Sequence, residues 1–188
     1  MIVMSTANNH LFMKTYFKLI FAFSLSLLFT FSTHAQDGAA KKIFSEKQLP
    51  DLSLNDMYGK KVNVADYGDN GKITVLSFWA TWCSPCKKEL NNISYMYEDW
   101  QDDYDMELVA ISIDDVRNVS KVKTYVDGQA WDYDVLLDTN EDLKRMMNFQ
   151  TVPYTVLVDQ KGNIVYTHSG YVEGDEYILE DHIKELIN

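Results

Sequence analysis

Cys83 and Cys86 are the only cysteines of this 188-residue chain, and they lie three positions apart in the stretch VLSFWATWCSPCKKEL, residues 75–90. We expect a helix to begin at about Cys83, which brings Cys86 back to nearly the same face, so that the two sulfur atoms can form a disulfide. The N–H groups of a first helical turn stabilise a thiolate, and thiol pKa values fall from roughly 8.5 to between about 3.5 and 7.5 in such settings. This arrangement predicts thiol–disulfide exchange, in which the Cys83 thiolate attacks a disulfide of another protein and Cys86 resolves the mixed disulfide.

Other uses of a C-x-x-C motif fit this sequence less well. Zinc needs four ligands, and the histidines nearest the C-terminus, His168 and His182, are far away along the chain and are expected at the surface. Haem attachment needs a histidine after the second cysteine, where Lys87 stands. A purely structural disulfide across so short a loop would constrain the unfolded chain little. We therefore expect a redox site with no metal and no cofactor.

The N-terminal 35 residues have the pattern of a signal peptide. Lys14 and Lys18 precede an apolar run over residues 19–31, and the small-residue stretch STHAQ follows it, which predicts cleavage after Ala35 and a periplasmic or otherwise exported protein. The run is shorter than the roughly 20 residues that cross a bilayer, although an uncleaved anchor stays open as an alternative. The whole chain carries 17 basic and 28 acidic residues, and such a surface repels nucleic acid and anionic membranes.

The elements that must position the cysteines follow from the hydrophobic pattern. We expect a flexible lead over residues 36–48 and one domain over residues 49–188. The pattern predicts a hairpin of residues 51–54 with 61–64, buried strands over 72–79 and 106–114, a helix over 118–128, and a short helix capped near Thr139 or Asn140. Two strands around the turn DQKGN follow, and a final helix presents Ile178, Leu179, Ile183, Leu186 and Ile187 on its apolar face. Strands that alternate with helices predict an α/β fold with an antiparallel edge.

Two motifs resemble those of the thioredoxin superfamily, and within it the exported TlpA/ResA-like thiol-disulfide oxidoreductases. FWATWCSPCKKEL is similar to the active-site motif of that group, and TVPYTVLVDQKGNIV to its second signature. The resemblance covers the chain from residue 49 to the final helix. It implies a thioredoxin-like fold with an N-terminal β-hairpin and a central α–β insertion within residues 106–138, in a mixed sheet flanked by helices.

The resemblance also assigns residues to a substrate-binding surface. It implies a cis bond between Val152 and Pro153, where proline presents no N–H and the backbone of Val152 can pair with an extended substrate. Trp82 and Tyr154 are expected to contact the partner protein, and Trp79 to lie in the core. Tyr154 departs from the threonine of many relatives, so the substrate cannot be transferred from them.

Glu89 matches a glutamate that ResA-like proteins place near their active site. It stands three residues after Cys86, from which it could take a proton and to which it could return it. Plain stabilisation of an acid in the first half of a helix is the open alternative. Thioredoxin itself buries an aspartate at the position of Ser77, and its absence here makes Glu89 the better candidate for proton transfer.

These observations predict an exported, monomeric enzyme that exchanges electrons with disulfide-bearing proteins, with reduction favoured because the similar family mostly reduces. A reductant of this kind needs a membrane thiol electron donor. One alternative is a thiol peroxidase, but such enzymes carry threonine at the position of Ala80 and an activating arginine, for which only Arg117 and Arg145 are available. The other alternative is a binding module whose disulfide is incidental.

Overall fold

The computed structural model of the protein describes residues 48–187, so the predicted signal peptide and nearly all of the predicted lead lie outside the described residues. The strands are β1 (Ser53–Asp56), β2 (Lys61–Asn63), β3 (Ile73–Trp79), β4 (Met106–Ser112), β5 (Asp134–Leu137), β6 (Tyr154–Val158) and β7 (Ile164–Ser169). The helices are α1 (Asp66–Asp69), α2 (Ser84–Ser94), α3 (Tyr97–Tyr104), α4 (Val119–Gln129), α5 (Asp142–Met147) and α6 (Asp175–Glu185). Among these described helices, none combines the length and the apolar character needed to cross a membrane.

The strands form one mixed sheet in the order β2-β1-β5-β4-β3-β6-β7. β3, β4 and β5 are parallel, whereas β6 and β7 on one side and β1 and β2 on the other are antiparallel to their neighbours. The β1–β2 hairpin and the α4–β5 segment occupy the places predicted for the N-terminal hairpin and the central insertion. The predicted α/β class and thioredoxin-like architecture are therefore confirmed.

β3 is the central strand that leads to the cysteines. All its residues are buried, which is what a mostly apolar strand covered on both faces requires. Trp79 ends the strand in the core, as predicted, with its ring 5.7 Å from that of Tyr125 and 5.1 Å from that of Trp131 between centroids. This aromatic cluster fixes the end of β3, from which the active-site turn starts.

Two local predictions about helices are wrong. The carboxylate of Asp138 caps α5, where it accepts hydrogen bonds from the backbone N–H groups of Leu143 at 3.2 Å and Lys144 at 3.0 Å, in place of Thr139 or Asn140. In α6, Leu179 and Ile183 are buried but Ile178 is exposed, as is Ile187 after the end of the helix. The buried face of α6 consists of Glu176, Leu179 and Ile183 and is therefore narrower than predicted.

Glycine 162 provides a test of the close packing between the β6–β7 turn and α1. Gly162 has a φ of +81°, and a Cβ atom there would lie 2.7 Å from the carbonyl oxygen of Gly68. We expect Gly162→Ala to lower the free energy of unfolding by about 2–4 kcal/mol, from the left-handed backbone and the backbone clash together. Gly59→Ala is the matched control, since Gly59 has a φ of +85° but open space around its Cβ position. The control should lose only about 1–2 kcal/mol in urea unfolding, and equal losses would contradict the close contact.

Candidate active site

The two cysteines form a disulfide at the N-terminus of α2. Cys83 is the residue before the helix, and its sulfur accepts a hydrogen bond from the backbone N–H of Cys86 at 3.3 Å. Pro85 lies in the first turn, where its missing N–H removes no helical hydrogen bond. Cys86 is fully buried, whereas Cys83 keeps a small exposed fraction. The sulfur of Cys83 is therefore the one of the two that a thiol or disulfide of another molecule can reach from solvent.

A buried aspartate holds the turn between β3 and the cysteines. Asp114 accepts hydrogen bonds from the backbone N–H of Thr81 at 2.8 Å and from the Thr81 hydroxyl at 2.6 Å, and it also accepts one from Ser112 at 2.9 Å. The turn is thus tied to the end of the neighbouring strand β4. Sequence reasoning missed this residue, although an aspartate at the end of the predicted buried strand over 106–114 was a signal that could have found it.

Glu89 lies one turn of α2 after Cys86 and is buried, with 4% of its surface exposed. Its two carboxyl oxygens accept hydrogen bonds from the hydroxyls of Thr155 at 2.7 Å and Ser77 at 3.2 Å. Burial raises the pKa of Glu89 to about 7. The two hydrogen bonds favour the carboxylate and lower the pKa, but by less than burial raises it. The negative charges of Asp175 and Glu176 raise this pKa further. A carboxyl group that can hold or release a proton at neutral pH therefore lies one helical turn after Cys86.

A small cavity connects Glu89 with charged side chains nearer the surface. Glu89 lines it together with Thr155, Tyr166, His168, Asp175, Glu176, Ile93 and Leu179. His168 Nε2 is 3.3 Å from Asp175 Oδ2, and both side chains are partly exposed. Glu176 is buried and accepts hydrogen bonds from Tyr171 at 2.7 Å and Asn92 at 3.2 Å. His168 is partly exposed at the surface, as expected, and it also borders the site because β7 sets it directly opposite Thr155.

The second motif lies next to the cysteine turn. The peptide bond between Val152 and Pro153 is cis, as the resemblance implied. Tyr154, the first residue of β6, pairs with Phe78 near the end of β3, so the cis proline is at the same end of the sheet as the cysteines. The ring of Tyr154 stacks on Phe149 with centroids 4.2 Å apart. Val152 and Tyr154 are half-buried, and Trp82 is 66% exposed, so all three are accessible to a partner.

The residues that a thiol peroxidase would use are not in place. Ala80 is buried at the position where those enzymes carry threonine. Arg117 forms an ion pair with Asp115 at 2.6 Å, and Arg145 forms one with Asp142 in α5. Both arginines are therefore engaged by carboxylates close to them in sequence, and the arrangement favours thiol–disulfide exchange.

A thioredoxin-like fold that sets a C-x-x-C disulfide at a helix N-terminus, beside a cis proline, defines the class of thiol-disulfide oxidoreductases. Residues 46–167 match the AhpC/TSA family, and the chain belongs to this family. The thiol-disulfide oxidoreductase ResA of Bacillus subtilis is 27% identical over 146 residues, which cover 77% of this chain and 78% of ResA. The thioredoxin-like protein YneN of Bacillus subtilis is 30% identical over 125 residues, which cover 66% of this chain and 71% of YneN.

The solved structures agree with the sequence relatives. A thioredoxin-like protein from Porphyromonas gingivalis is 46% identical and superimposes with a TM-score of 0.66, over 73% of this chain and 90% of that one. The predicted membership in the thioredoxin superfamily and the resemblance to ResA-like enzymes are confirmed. The protein is an enzyme of the thiol-disulfide oxidoreductase type.

The raised pKa of Glu89 predicts how the free energy of unfolding depends on pH. Since its pKa is raised on folding, the folded protein keeps a proton that the unfolded chain releases, so the wild type loses stability as the pH rises from about 4.5 through 7. Glu89→Gln does not titrate, and its free energy of unfolding relative to wild type should therefore rise by about 3 kcal/mol between pH 4.5 and pH 8. Urea unfolding of the oxidised proteins at the two pH values measures this difference.

The matched control is Glu98→Gln, which changes an exposed glutamate of α3. This variant is expected to follow the wild type at both pH values. A Glu89→Gln variant that gains no stability relative to wild type as the pH rises would contradict the burial of a carboxyl group that is only partly compensated by hydrogen bonds.

Proposed function

We propose that the protein is an exported dithiol reductant that passes an electron pair from Cys83 and Cys86 to the disulfides of protein substrates. The observation that carries the proposal is the position of Cys83 at the start of α2, where its sulfur accepts the N–H of Cys86. A thiolate at this position is stabilised by the same N–H group and by the helix dipole. The ResA relatives, named as thiol-disulfide oxidoreductases, support the same type of reaction.

The reaction begins with the reduced protein. The Cys83 thiolate attacks one sulfur of the substrate disulfide, that disulfide breaks, and the other substrate sulfur leaves as a thiolate that takes up a proton from solvent. Cys86 then gives its proton to the Glu89 carboxylate and attacks the Cys83 sulfur. The mixed disulfide breaks, and the second substrate sulfur leaves as a thiolate. Two electrons have moved to the substrate, and Cys83 and Cys86 are joined.

Glu89 is suited to this proton transfer because its pKa is near neutral pH and because it lies one helical turn after Cys86. A pKa of about 7 lets it accept a proton from Cys86 and return it when the disulfide is reduced again. The donor of the returning electrons is proposed to be a thiol protein of the membrane. The cavity towards His168 and Asp175 is a route by which the Glu89 proton equilibrates with solvent.

Trp82, Val152, Pro153 and Tyr154 are proposed to bind the substrate. Pro153 is buried and has no N–H, so the half-buried backbone of Val152 offers the groups with which an extended substrate segment pairs. Trp82 and Tyr154 supply apolar contact on either side of the attacked disulfide.

The place of action is proposed from the N-terminal sequence. The charged start, the apolar run and the small residues before Ala35 support cleavage after that residue and release into the periplasm. Residues 49–188 then act as a single monomeric domain after a short lead.

Trapping of the mixed disulfide tests the division of labour between the two cysteines. Cys86→Ala keeps the nucleophile but cannot resolve, so it should accumulate a covalent complex with insulin that dithiothreitol releases. Cys83→Ser, the matched variant, should form no complex and should lose insulin reduction by at least about a hundredfold. The measurements are non-reducing electrophoresis and the turbidity of precipitating insulin chains. Retained reduction by Cys83→Ser would indicate a binding module whose disulfide is incidental.

A redox titration tests the direction of electron flow. We expect the Cys83–Cys86 pair to have a reduction potential below about −200 mV, in the range of proteins that reduce disulfides. The measurement is the fraction of reduced protein, by alkylation and mass, in buffers of glutathione or dithiothreitol at set potentials. A potential above about −150 mV would identify an oxidant and overturn the proposed direction.

A further inference from the structure

An open groove of about 450 Å³ lies beside the cysteine turn, and the proposed reaction makes no use of it. Thr81 of the turn forms one end, and the rest comes from a single face of α4, namely Ser120, Lys121, Thr124, Tyr125, Gly128 and Gln129. The opposite face of α4 is buried through Val122 and Val126. We call this feature the α4 groove, and its volume falls within the range of ligand sites in proteins.

The α4 groove is a fixed depression. Tyr125 forms a wall, and its ring packs against Trp79 at 5.7 Å and Trp131 at 5.4 Å between centroids. Gly128 leaves space, since a Cβ atom there would meet nothing within 4 Å. From Ser120 to Gln129 the helix rises about 14 Å, which is the length of about four residues of extended chain. The groove therefore has the size of a short peptide segment.

The charge around the α4 groove differs from that of the whole protein. The chain has a net charge of −11, yet none of the residues that line the groove is acidic. Lys121 is exposed and has no carboxylate partner within residues 48–187. Lys87, the residue after Cys86, places its Nζ 5.4 Å from the centroid of the Tyr125 ring. Lys121 thus lines a groove that lacks carboxylates, and Lys87 contacts the ring of its Tyr125 wall, which makes the groove attractive to negative charge.

Three of the acidic residues close to the α4 groove in sequence are already engaged, whereas Asp132, just after the end of α4, is exposed. Asp114 accepts hydrogen bonds from Thr81, and Asp115 pairs with Arg117. Asp127 of α4 pairs with Lys123 at 3.2 Å. The carboxylates of Asp114, Asp115 and Asp127 therefore do not pair with Lys121, whose ammonium group can bind an acidic side chain of a ligand.

We infer that the α4 groove binds a segment of the substrate polypeptide that carries acidic side chains close to the attacked disulfide. The inference rests on the proposed reduction of protein disulfides and names the class of substrate. Thr81 is two residues before Cys83, so a segment in the groove continues directly towards the nucleophile. Charge complementarity of this kind raises the rate of productive encounter and depends on salt concentration.

The test compares rates of reduction for disulfides that differ only in charge. Reduced protein is mixed in a stopped-flow instrument with oxidised peptides whose disulfide is flanked by glutamates, by glutamines or by lysines, and tryptophan fluorescence gives the second-order rate constant. 2-Hydroxyethyl disulfide, which is neutral and too small to fill the groove, reports the chemistry alone. We expect the wild type to reduce the glutamate peptide roughly fivefold faster than the glutamine peptide at low salt.

Two variants of the α4 groove separate charge from shape. Lys121→Glu should abolish the preference for the glutamate peptide and favour the lysine peptide, whereas Lys161→Glu makes the same charge change in the β6–β7 turn and should have no such effect. Gly128→Phe should fill the groove without backbone strain and slow reduction of all three peptides by roughly fivefold. Gly128→Ala is its control, because it changes the helix in the same place but leaves the groove open.

The possible outcomes distinguish the inference from the proposed function. If 2-hydroxyethyl disulfide is reduced equally by all variants and the peptides respond as expected, the α4 groove is the recognition site. If that small disulfide is reduced but Lys121→Glu and Gly128→Phe treat every peptide as the wild type does, the inference is overturned and the proposed function stands. If no disulfide is reduced at all, the proposed function falls, and the role of the groove falls with it.

Discussion

The burial of the Glu89 carboxyl group is the constraint on which the active site depends. A carboxyl group taken out of water favours its neutral form unless hydrogen bonds or charges compensate. Here one hydroxyl from each of two strands supplies partial compensation, and the pKa settles at about 7. Both hydroxyls reach the same group because the β3–β6 pairing sets Ser77 directly opposite Thr155, so that their side chains share one face of the sheet. Burial thus raises the pKa of Glu89 on α2, and the register of two strands limits how far the pKa rises.

Asp114 is a second buried carboxylate, and its hydrogen-bond partners give it a structural role. Asp114 receives a backbone N–H and two hydroxyl groups, and these bonds connect the turn before Cys83 to the end of β4. Glu89 receives only hydroxyls that belong to the sheet, and none from the turn. The turn can therefore be held in place by Asp114 while Glu89 stays available for proton exchange. Asp114 thus positions the turn, whereas the role proposed for Glu89 is proton transfer.

Features that depend on neighbouring residues along the chain could be predicted from the sequence, whereas contacts between residues far apart in sequence could not. The spacing of Cys83 and Cys86 and the apolar run of β3 predicted the disulfide at a helix start after a buried strand, because both depend on neighbours along the chain. The partners of Glu89 were not predictable, since Thr155 is 66 residues away and meets it only through strand register. The cap of α5 by Asp138 was missed for a related reason. Its side chain reaches forward by five residues, beyond the usual capping distance.

The α4 groove and the groups proposed for catalysis lie on different elements, so substitutions can change one without the other. The groups proposed for the chemistry lie on β3, α2 and β6, whereas the α4 groove lies on the central insertion and shares only Thr81 with the turn. Tyr125 links the two parts, because its ring packs on Trp79 at the end of β3. Apart from those at Tyr125, substitutions on the open face of α4 are therefore expected to leave the sheet register, and with it the environment of Glu89, unaltered. A fold arranged in this way can acquire a new partner protein through α4 while the electron transfer proposed for Cys83 and Cys86 stays the same.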